Sequence, residues 1–324
     1  MVCALRGFFA GLFWVIRLFC YGLCMTYTSF LKRGFLPAVL AYLFLLGNTC
    51  AQELIRTRES LFAMADGSTV SVPALISVLA NSDITVLGEI HDNPRHHQLR
   101  GELLRQLPVG SKTVVAEHLN WRERFEPQAE LLTGLEAAGF DGEGWGWPLH
   151  QPLFESVKAM KMPLIGGNLP GESIKEVFKT QGQSLPEPVR TLLAKAPFGT
   201  QQRQALEEEI DQGHCGAMPK TMFEGMAAVQ RGRDAAMAEV ALAHLPSIVV
   251  AGNGHAWKHL GVPFVVYKVA PQLRSVSVLF MEWDESRPSV EKQAFLAELT
   301  SQADYVWLTP PHDRKDACEN LHQK

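Results

Sequence analysis

Ile84-Thr85-Val86-Leu87-Gly88-Glu89-Ile90-His91-Asp92-Asn93-Pro94 decides how the chain is read. Four β-branched or apolar residues form the kind of short run that makes a fully buried strand. A glycine then lets the backbone turn, and two chemically active side chains follow. Asn93 can cap a helix and Pro94 suits its first turn. Leu99, Leu103 and Leu107 share one face, so the spacing predicts a helix over Pro94–Leu107. Strand, polar turn and helix make the repeating unit of an α/β fold, where ligands lie beyond the carboxyl ends of the strands.

The same unit recurs outward from that stretch. Thr113–Ala116, Leu164–Ile165 and Ile248–Val250 read as further buried strands. Helical patterns cover Arg122–Ala138, Leu153–Met160, Glu172–Thr180, Pro186–Ala194, Gln201–Gln212 and a long stretch from Lys220 to His244. The end reads as more β-rich, with runs at Phe264–Val269, Ser275–Phe280 and Tyr305–Leu308. The expected architecture is α/β: a mostly parallel sheet covered by helices on both faces, with a helical insertion or subdomain at about 141–220. One domain is expected over 52–324.

Formal net charge is −4 with no basic stripe, which excludes a phosphate-backbone partner such as nucleic acid. The first fifty residues contain no Asp or Glu. Lys32-Arg33 precede an apolar run from Gly34 to Gly47, about the length of a signal-peptide core and shorter than a span of roughly 20 residues. Thr49-Cys50-Ala51 offers small residues for cleavage before Gln52. Residues 1–51 are therefore expected to be a targeting segment, with Met25 an alternative start and a membrane anchor the competing reading. The protein is expected to be exported, and periplasmic or attached to the cell envelope. Export places Cys215 and Cys318 in an oxidising compartment, where a pair tends to bridge.

Four strand ends carry polar residues: Glu89 and His91, Glu117 with His118, Asn168, and Asn253 with His255. Their convergence predicts one pocket with Glu89, Glu117, Asn168 and Asn253 as its polar frame. Glu117 follows four apolar strand residues, so it needs a partner. His91 and His255 beside two carboxylates favour function. His96 lines up with the apolar face through Leu99 and Leu103, with His97 beside it. His118, His244 and His259 carry no comparable support. On the long helix, Arg233 shares a face with Met222, Met226, Val229 and Val240. A buried guanidinium needs an acid, supplied by Glu89, Glu117 or a ligand carboxylate. Gly144-Trp145-Gly146-Trp147-Pro148-Leu149-His150 offers a flat apolar wall ending in a histidine, parts that suit haem. No P-loop, nucleophile elbow, dinucleotide fingerprint or H-E-x-x-H occurs.

Gly88 to Pro94 resembles the opening motif of the ChaN-like haem-binding uptake family of the Tiki superfamily. Matching segments follow in order: His214-Cys215-Gly216, Gln230–Ala238 around Arg233-Asp234-Ala235-Ala236-Met237, Gly252-Asn253-Gly254-His255 with Gly261-Val262-Pro263, and Asp304-Tyr305-Val306-Trp307. The resemblance covers Asp83 to Cys318. It implies a bacterial cell-envelope protein, often lipid-anchored, that binds haem for iron acquisition without turnover. It also implies haem near a homodimer interface and cooperation with an outer-membrane haem receptor. The family pattern has a tyrosine iron ligand where this chain has His150, and histidine can also ligate haem iron. Residues before Cys50 fit a lipobox poorly, a second departure. The haem reading thus expects His150 on iron, with His91, His255, Trp145, Trp147, Arg233 and His96 around the ligand. The wider superfamily resembles hydrolases, and the alternative is a metal-dependent peptidase or esterase. It would hold zinc with His91, His255 and Glu89 or Glu117, leaving the other glutamate as general base.

Overall fold

In the computed structural model, which describes residues 59–315 and Cys318, Ile84–Leu87 is a strand buried along its whole length. The described residues belong to one compact unit. The expected targeting segment lies outside the described residues, and no described helix is long and apolar enough to cross a membrane.

The strands are β1 (Ser60–Ala63), β2 (Ile84–Leu87), β3 (Thr113–Asn120), β4 (Leu164–Asn168), β5 (Ser247–Val250), β6 (Ser275–Glu282) and β7 (Tyr305–Thr309). They form one sheet in the order β1-β7-β6-β2-β5-β3-β4. Only β1 runs antiparallel, against β7. β2 lies in the middle, with Ile84 opposite Ser247 on one side and Ser275 on the other. A central parallel strand is buried on both faces, so its run of apolar residues is unbroken.

The helices are α1 (Val72–Asn81), α2 (Pro94–Leu104), α3 (Leu131–Ala137), α4 (Gln151–Ala159), α5 (Gly171–Lys179), α6 (Glu187–Lys195), α7 (Thr200–Gly213), α8 (Phe223–Ala243), α9 (Asn253–Ala256), α10 (Val262–Val269) and α11 (Ser289–Leu299). Alternate strand residues feed two cores. Leu87, Val114, Ala116, Ile248 and Val250 face α1–α4. Ile84, Val86, Val115 and Val249 face α7–α11. The expected two-sided α/β sandwich is therefore present. Cys215 and Cys318 are joined in a disulfide, their Cα atoms 5.6 Å apart.

Several boundaries differ from expectation for identifiable reasons. The 141–220 segment is not one insertion, because α4 and β4 belong to the central layers. The added helices are α5 and α6, which share a small core with α8 through Val177, Val189 and Val229. The helix expected over Arg122–Ala138 shrinks to α3. Pro127 disfavours helical backbone at the residue before it, Arg122 is left-handed at φ 68, and Arg124 bridges to Ile165. Phe264–Val269 is helix α10 rather than a strand: Gly261 and Pro263 start it, and a short apolar run fits a buried helix as well as a strand. β1, α1, α9 and α11 carried too little pattern to be read from sequence.

The disulfide closes a loop spanning 103 residues of sequence. Replacing both cysteines with serine should therefore cost on the order of 2–5 kcal/mol. Urea denaturation would read this as a lower midpoint; an unchanged midpoint would show that the bridge contributes nothing.

Candidate functional site

Glu89 leaves the end of β2 and is only 1% exposed. A carboxylate there must be paired, and α2 supplies the cation, Arg100. Asn93 caps α2 by accepting from Arg95 N–H at 2.9 Å, and this aims His97 and Arg100 back at the strand end. Glu89 Oε2 lies 2.8 Å from His97 Nδ1 and in contact with Arg100 Nη2. Glu89 Oε1 lies 2.8 Å from His91 Nδ1 and 3.4 Å from His118 Nε2.

The hydrogen bonds fix which nitrogens carry protons. His97 Nε2 is 2.9 Å from the His91 carbonyl, an acceptor only, so Nε2–H donates. Burial pulls the His97 pKa down to about 4, leaving the ring neutral and Nδ1 a lone pair. Arg100 Nη2 at 3.0 Å and His150 Nδ1 at 3.1 Å can both donate into it. Burial also pushes His150 and His118 well down from their usual value. Arg100 is completely buried, and desolvation lowers it to about 9 despite the attraction of Glu117.

A second charged group sits beside the first. Glu117, on β3, accepts from Gly252 N–H at 2.8 Å through Oε2. Its Oε1 is 3.3 Å from His255 Nε2, and Asp234 Oδ1 of α8 is 2.6 Å from His255 Nδ1. Burial pulls against a charge on His255, but the two carboxylates outweigh it and raise the pKa to about 10. Burial would push Glu117 up, yet His255 holds it well below the usual carboxylate range. Asp234 is raised by burial, which its attraction to His255 does not cancel. The two groups meet at the turn after β5. Asn253 N–H donates to the Glu89 carbonyl at 2.8 Å. His91 rests on Gly252, where an added Cβ would stand 2.6 Å from His91 Nε2.

Trp145 covers this cluster. Its ring centroid is 4.5 Å from His118, 5.2 Å from His91 and 5.7 Å from His150. Rings sandwiching a planar ligand stand about 7 Å apart, at roughly 3.5 Å of contact per face. The expected slot between the tryptophan loop and the histidines is therefore filled by direct ring contact. Trp147 turns away and packs on Phe140 at 5.8 Å.

Several other expectations are corrected. His150 is 1% exposed, walled in by His97, His118, Phe140 and Trp145, and offers no open axial nitrogen. His96 is a core histidine: Nδ1 accepts from Ile90 N–H at 3.0 Å and Nε2 bonds Thr309 Oγ1 at 2.9 Å. Arg233 pairs with neither Glu89 nor Glu117; Arg100 is the buried guanidinium on Glu89. Asn253 is a clamp whose amide donates to the Phe280 carbonyl at 2.7 Å. No side-chain bond joins Asn168 to the cluster among the described residues; its carbonyl accepts from Trp121 N–H at 2.6 Å. The zinc set of His91, His255 and Glu89 does not form, because carboxylates hold both nitrogens of a protonated His255. Glu89, His97 and His150 do bring ligand atoms within 4.8 Å of one another, but the Arg100 cation already occupies that corner.

His97, Arg100, His118 and Asp234 were the residues sequence reasoning passed over. A helical signal existed for two of them. Arg100 sits one turn beyond His97, and Asp234 shares a face with Gln230 and Met237, next to the face that was followed.

These ionisations give stability a maximum near neutrality. His96 and His97, held at about 3 and about 4, are neutral when folded but take up protons when unfolded near 6.5. The unfolded state binds more protons there, so stability falls as pH drops from 6.5 towards 3. His255 has the opposite sign: its stabilisation is complete below 6.5 and is lost as pH rises to about 10. Urea midpoints measured from pH 4 to 10 should peak between 6 and 7. In Asp234→Asn the alkaline slope should flatten; an alkaline slope equal to wild type would refute the assignment.

The family model described as haem-binding uptake, Tiki superfamily, ChaN matches residues 75–266. A solved structure described as cofacial heme binding to ChaN of Campylobacter jejuni superposes with a TM-score of 0.61 at 18% identity. The match covers 78% of this chain and 98% of that one, and shows a shared fold. A Bacillus cereus protein matches at 12% identity and TM-score 0.39, over 72% of this chain and 74% of its own. The type III effector HopBA1 matches at 12% identity and TM-score 0.39, over 74% and 94%. Both lie too low to support an argument. No curated protein matches the sequence significantly. The family match takes in more than half of the chain, including the strand ends that build the site: the chain belongs to the haem-binding uptake family of the Tiki superfamily, typified by ChaN.

Proposed function

We propose that the protein binds haem at the mouth of the site, with His91 rather than His150 as the residue offered to iron. The observation that carries this is the state of His91. Its side chain is 49% exposed, while its Nδ1 is held at 2.8 Å by Glu89, which is shut off from solvent. A carboxylate on one imidazole nitrogen fixes the tautomer and makes the other a better metal ligand. Nε2 has no hydrogen-bond partner among the described residues and faces Gly252, which brings no side chain to crowd it. Trp145 lies alongside and supplies an apolar flank. These residues fit haem on an open face better than haem in a closed slot.

Haem, when bound, supplies the iron and the flat apolar macrocycle. The protein's part is to hold and orient. Glu89 accepts the Nδ1 proton of His91, Arg100 balances the carboxylate, and His97 anchors the His91 backbone at 2.9 Å. None of these groups is poised for turnover. Glu89 is neutralised by Arg100, and Glu117 is tied to Gly252 and His255. This supports binding and handling of haem over hydrolysis.

The setting is the family's: haem or iron uptake in the cell envelope, in a protein that is periplasmic or lipid-anchored there. The acid-free leader and the Cys215–Cys318 disulfide support export. Haem on an open face leaves its second side for another copy of the chain, which supports a homodimer, with an outer-membrane receptor as haem donor.

Titration of the purified protein with hemin should give a saturable Soret shift. His91→Ala should abolish it or weaken binding at least about 100-fold, and Glu89→Gln should weaken it about 10–100-fold. His150→Ala should retain it. Loss in His150→Ala with retention in His91→Ala would return the iron to the aromatic loop.

A further inference from the structure

Behind the α9 turn lies a cavity of about 190 Å³ between α7, α8 and that turn. Its walls are largely apolar, with Leu206, Ile210, Val229 and Leu260. Polar groups break them: Glu209, His214, Gln230 and Arg233, with the indole N–H of Trp257. Arg233 lines the cavity, and its Nε is buried without a hydrogen-bond partner. Trp257, also in the wall, has its Nε1 buried and unpartnered. No carboxylate lies within ion-pair distance of Arg233 among the described residues. Neighbouring charges are used elsewhere: Asp234 holds His255, and Arg231 turns to the Ala196 carbonyl and the Phe198 ring. Glu209 sits at the exposed rim of the cavity without pairing with Arg233.

The unpartnered Nε–H of half-buried Arg233 and the indole N–H of Trp257 both lack an acceptor, and the guanidinium charge favours a negative one. The recess sets its size. Ligand pockets for whole drug-sized molecules run about 300–1,000 Å³, so this one takes a carboxylate on a short apolar stem. Glu209 at the rim disfavours a dianion such as phosphate. Two sources have this chemistry. One is a free short-chain carboxylic acid. The other is the carboxylate arm of a larger ligand seated outside. Gly254 in the cavity wall is two residues from Gly252, on which His91 rests, a separation of roughly 5–7 Å along the chain. Gln230, also in the wall, lies 3.1 Å from His255 Nδ1. An arm reaching inward from a ligand at His91 would enter here.

We propose that this cavity is a carboxylate-binding subsite in which Arg233 and Trp257 receive either a free short-chain acid or a porphyrin propionate. The propionate source rests on the haem reading above; the free-acid source does not. Two measurements on the oxidised full chain decide between them. In the first, hexanoate is titrated while the indole N–H resonance of Trp257, assigned with Trp257→Phe, is followed by NMR. A saturable shift is expected, absent with methyl hexanoate and lost in Arg233→Gln, while Arg233→Lys retains part of it. In the second, hemin is compared with its dimethyl ester. The ester should bind about tenfold more weakly than hemin to the wild type, and equally to Arg233→Gln. A response to hexanoate alone assigns a free acid, and a response to esterification alone assigns the propionate. If hemin gives no Soret change, the haem reading fails and the hexanoate measurement alone decides the subsite. The proposal is overturned if hexanoate gives no saturable shift and esterification makes no Arg233-dependent difference. A thermal melt of Arg233→Gln within a few degrees of wild type establishes that a lost response is not lost folding.

Discussion

Everything at the site depends on a carboxylate that has no access to water. Glu89 sits at the end of the central strand, and an unpaired charge there would cost several kcal/mol. Its neighbours follow from that constraint. α2 begins where Asn93 can cap it, and so delivers Arg100 to Glu89 within two turns and sets His97 beside them. Arg100 is itself buried, with Nε and Nη1 left without partners. The pair adds little net stability, since desolvation of two ions offsets most of their attraction. What it does provide is a single geometry. With Glu89 fixed, His91 has one orientation in which its Nδ1 proton is satisfied, and the opposite nitrogen then lies over Gly252.

The Glu117–His255–Asp234 group is a second solution to the same problem. An imidazolium between two carboxylates is stable in a buried position because each neighbour lowers the cost of ionising the others. Its consequence is rigidity of the 252–255 turn. Glu117 binds the Gly252 amide, and Asn253 joins the backbone of Glu89 to that of Phe280. The turn is thus fastened to β2, β3 and β6 at once, and His91 rests on it. The two clusters differ in sign as well: the first keeps three histidines neutral, the second keeps one charged. A site searched for four equivalent histidines would miss that only His91 is both exposed and held.

How much of this could be read from sequence follows from which distances are local. Glu89, Glu117 and His255 were identified together because the ends of parallel strands share one rim, a rule that does not need side-chain detail. The capped start of α2 was equally legible. The family's motifs lay along the chain in order, so the fold and the haem-binding family were within reach. Arg100 and Asp234 were not. Each is a charged residue on a helix, and whether such a residue faces water or a buried partner is set by how the helix packs. Choosing the face through Arg233 rather than the one through Asp234 was an error of about one helical step. His150 was misread for a related reason: sequence shows that a histidine ends an aromatic loop, not whether the loop folds inward. Phe264–Val269 failed because a short apolar run fits a helix as well as a strand, and Gly261 and Pro263 start it as a helix whose Tyr267 and Lys268 face solvent.

The departure at His150 can now be placed among its surroundings. In this chain the position is filled by a neutral ring that can donate to His97. A hydrogen-bonded imidazole there serves the packing of the cluster and reinforces the neutral state of His97. Trp145 then closes over both. Of the histidines in the two clusters, His91 alone keeps an exposed side chain. Gly254 of the same turn stands in the wall of the Arg233 recess, so a ligand touching both His91 and the recess would bridge a rigid element rather than a hinge. Binding at either end would then be additive in free energy apart from the gain of holding both ends in one molecule, because a turn fixed to three strands has little freedom left to couple them.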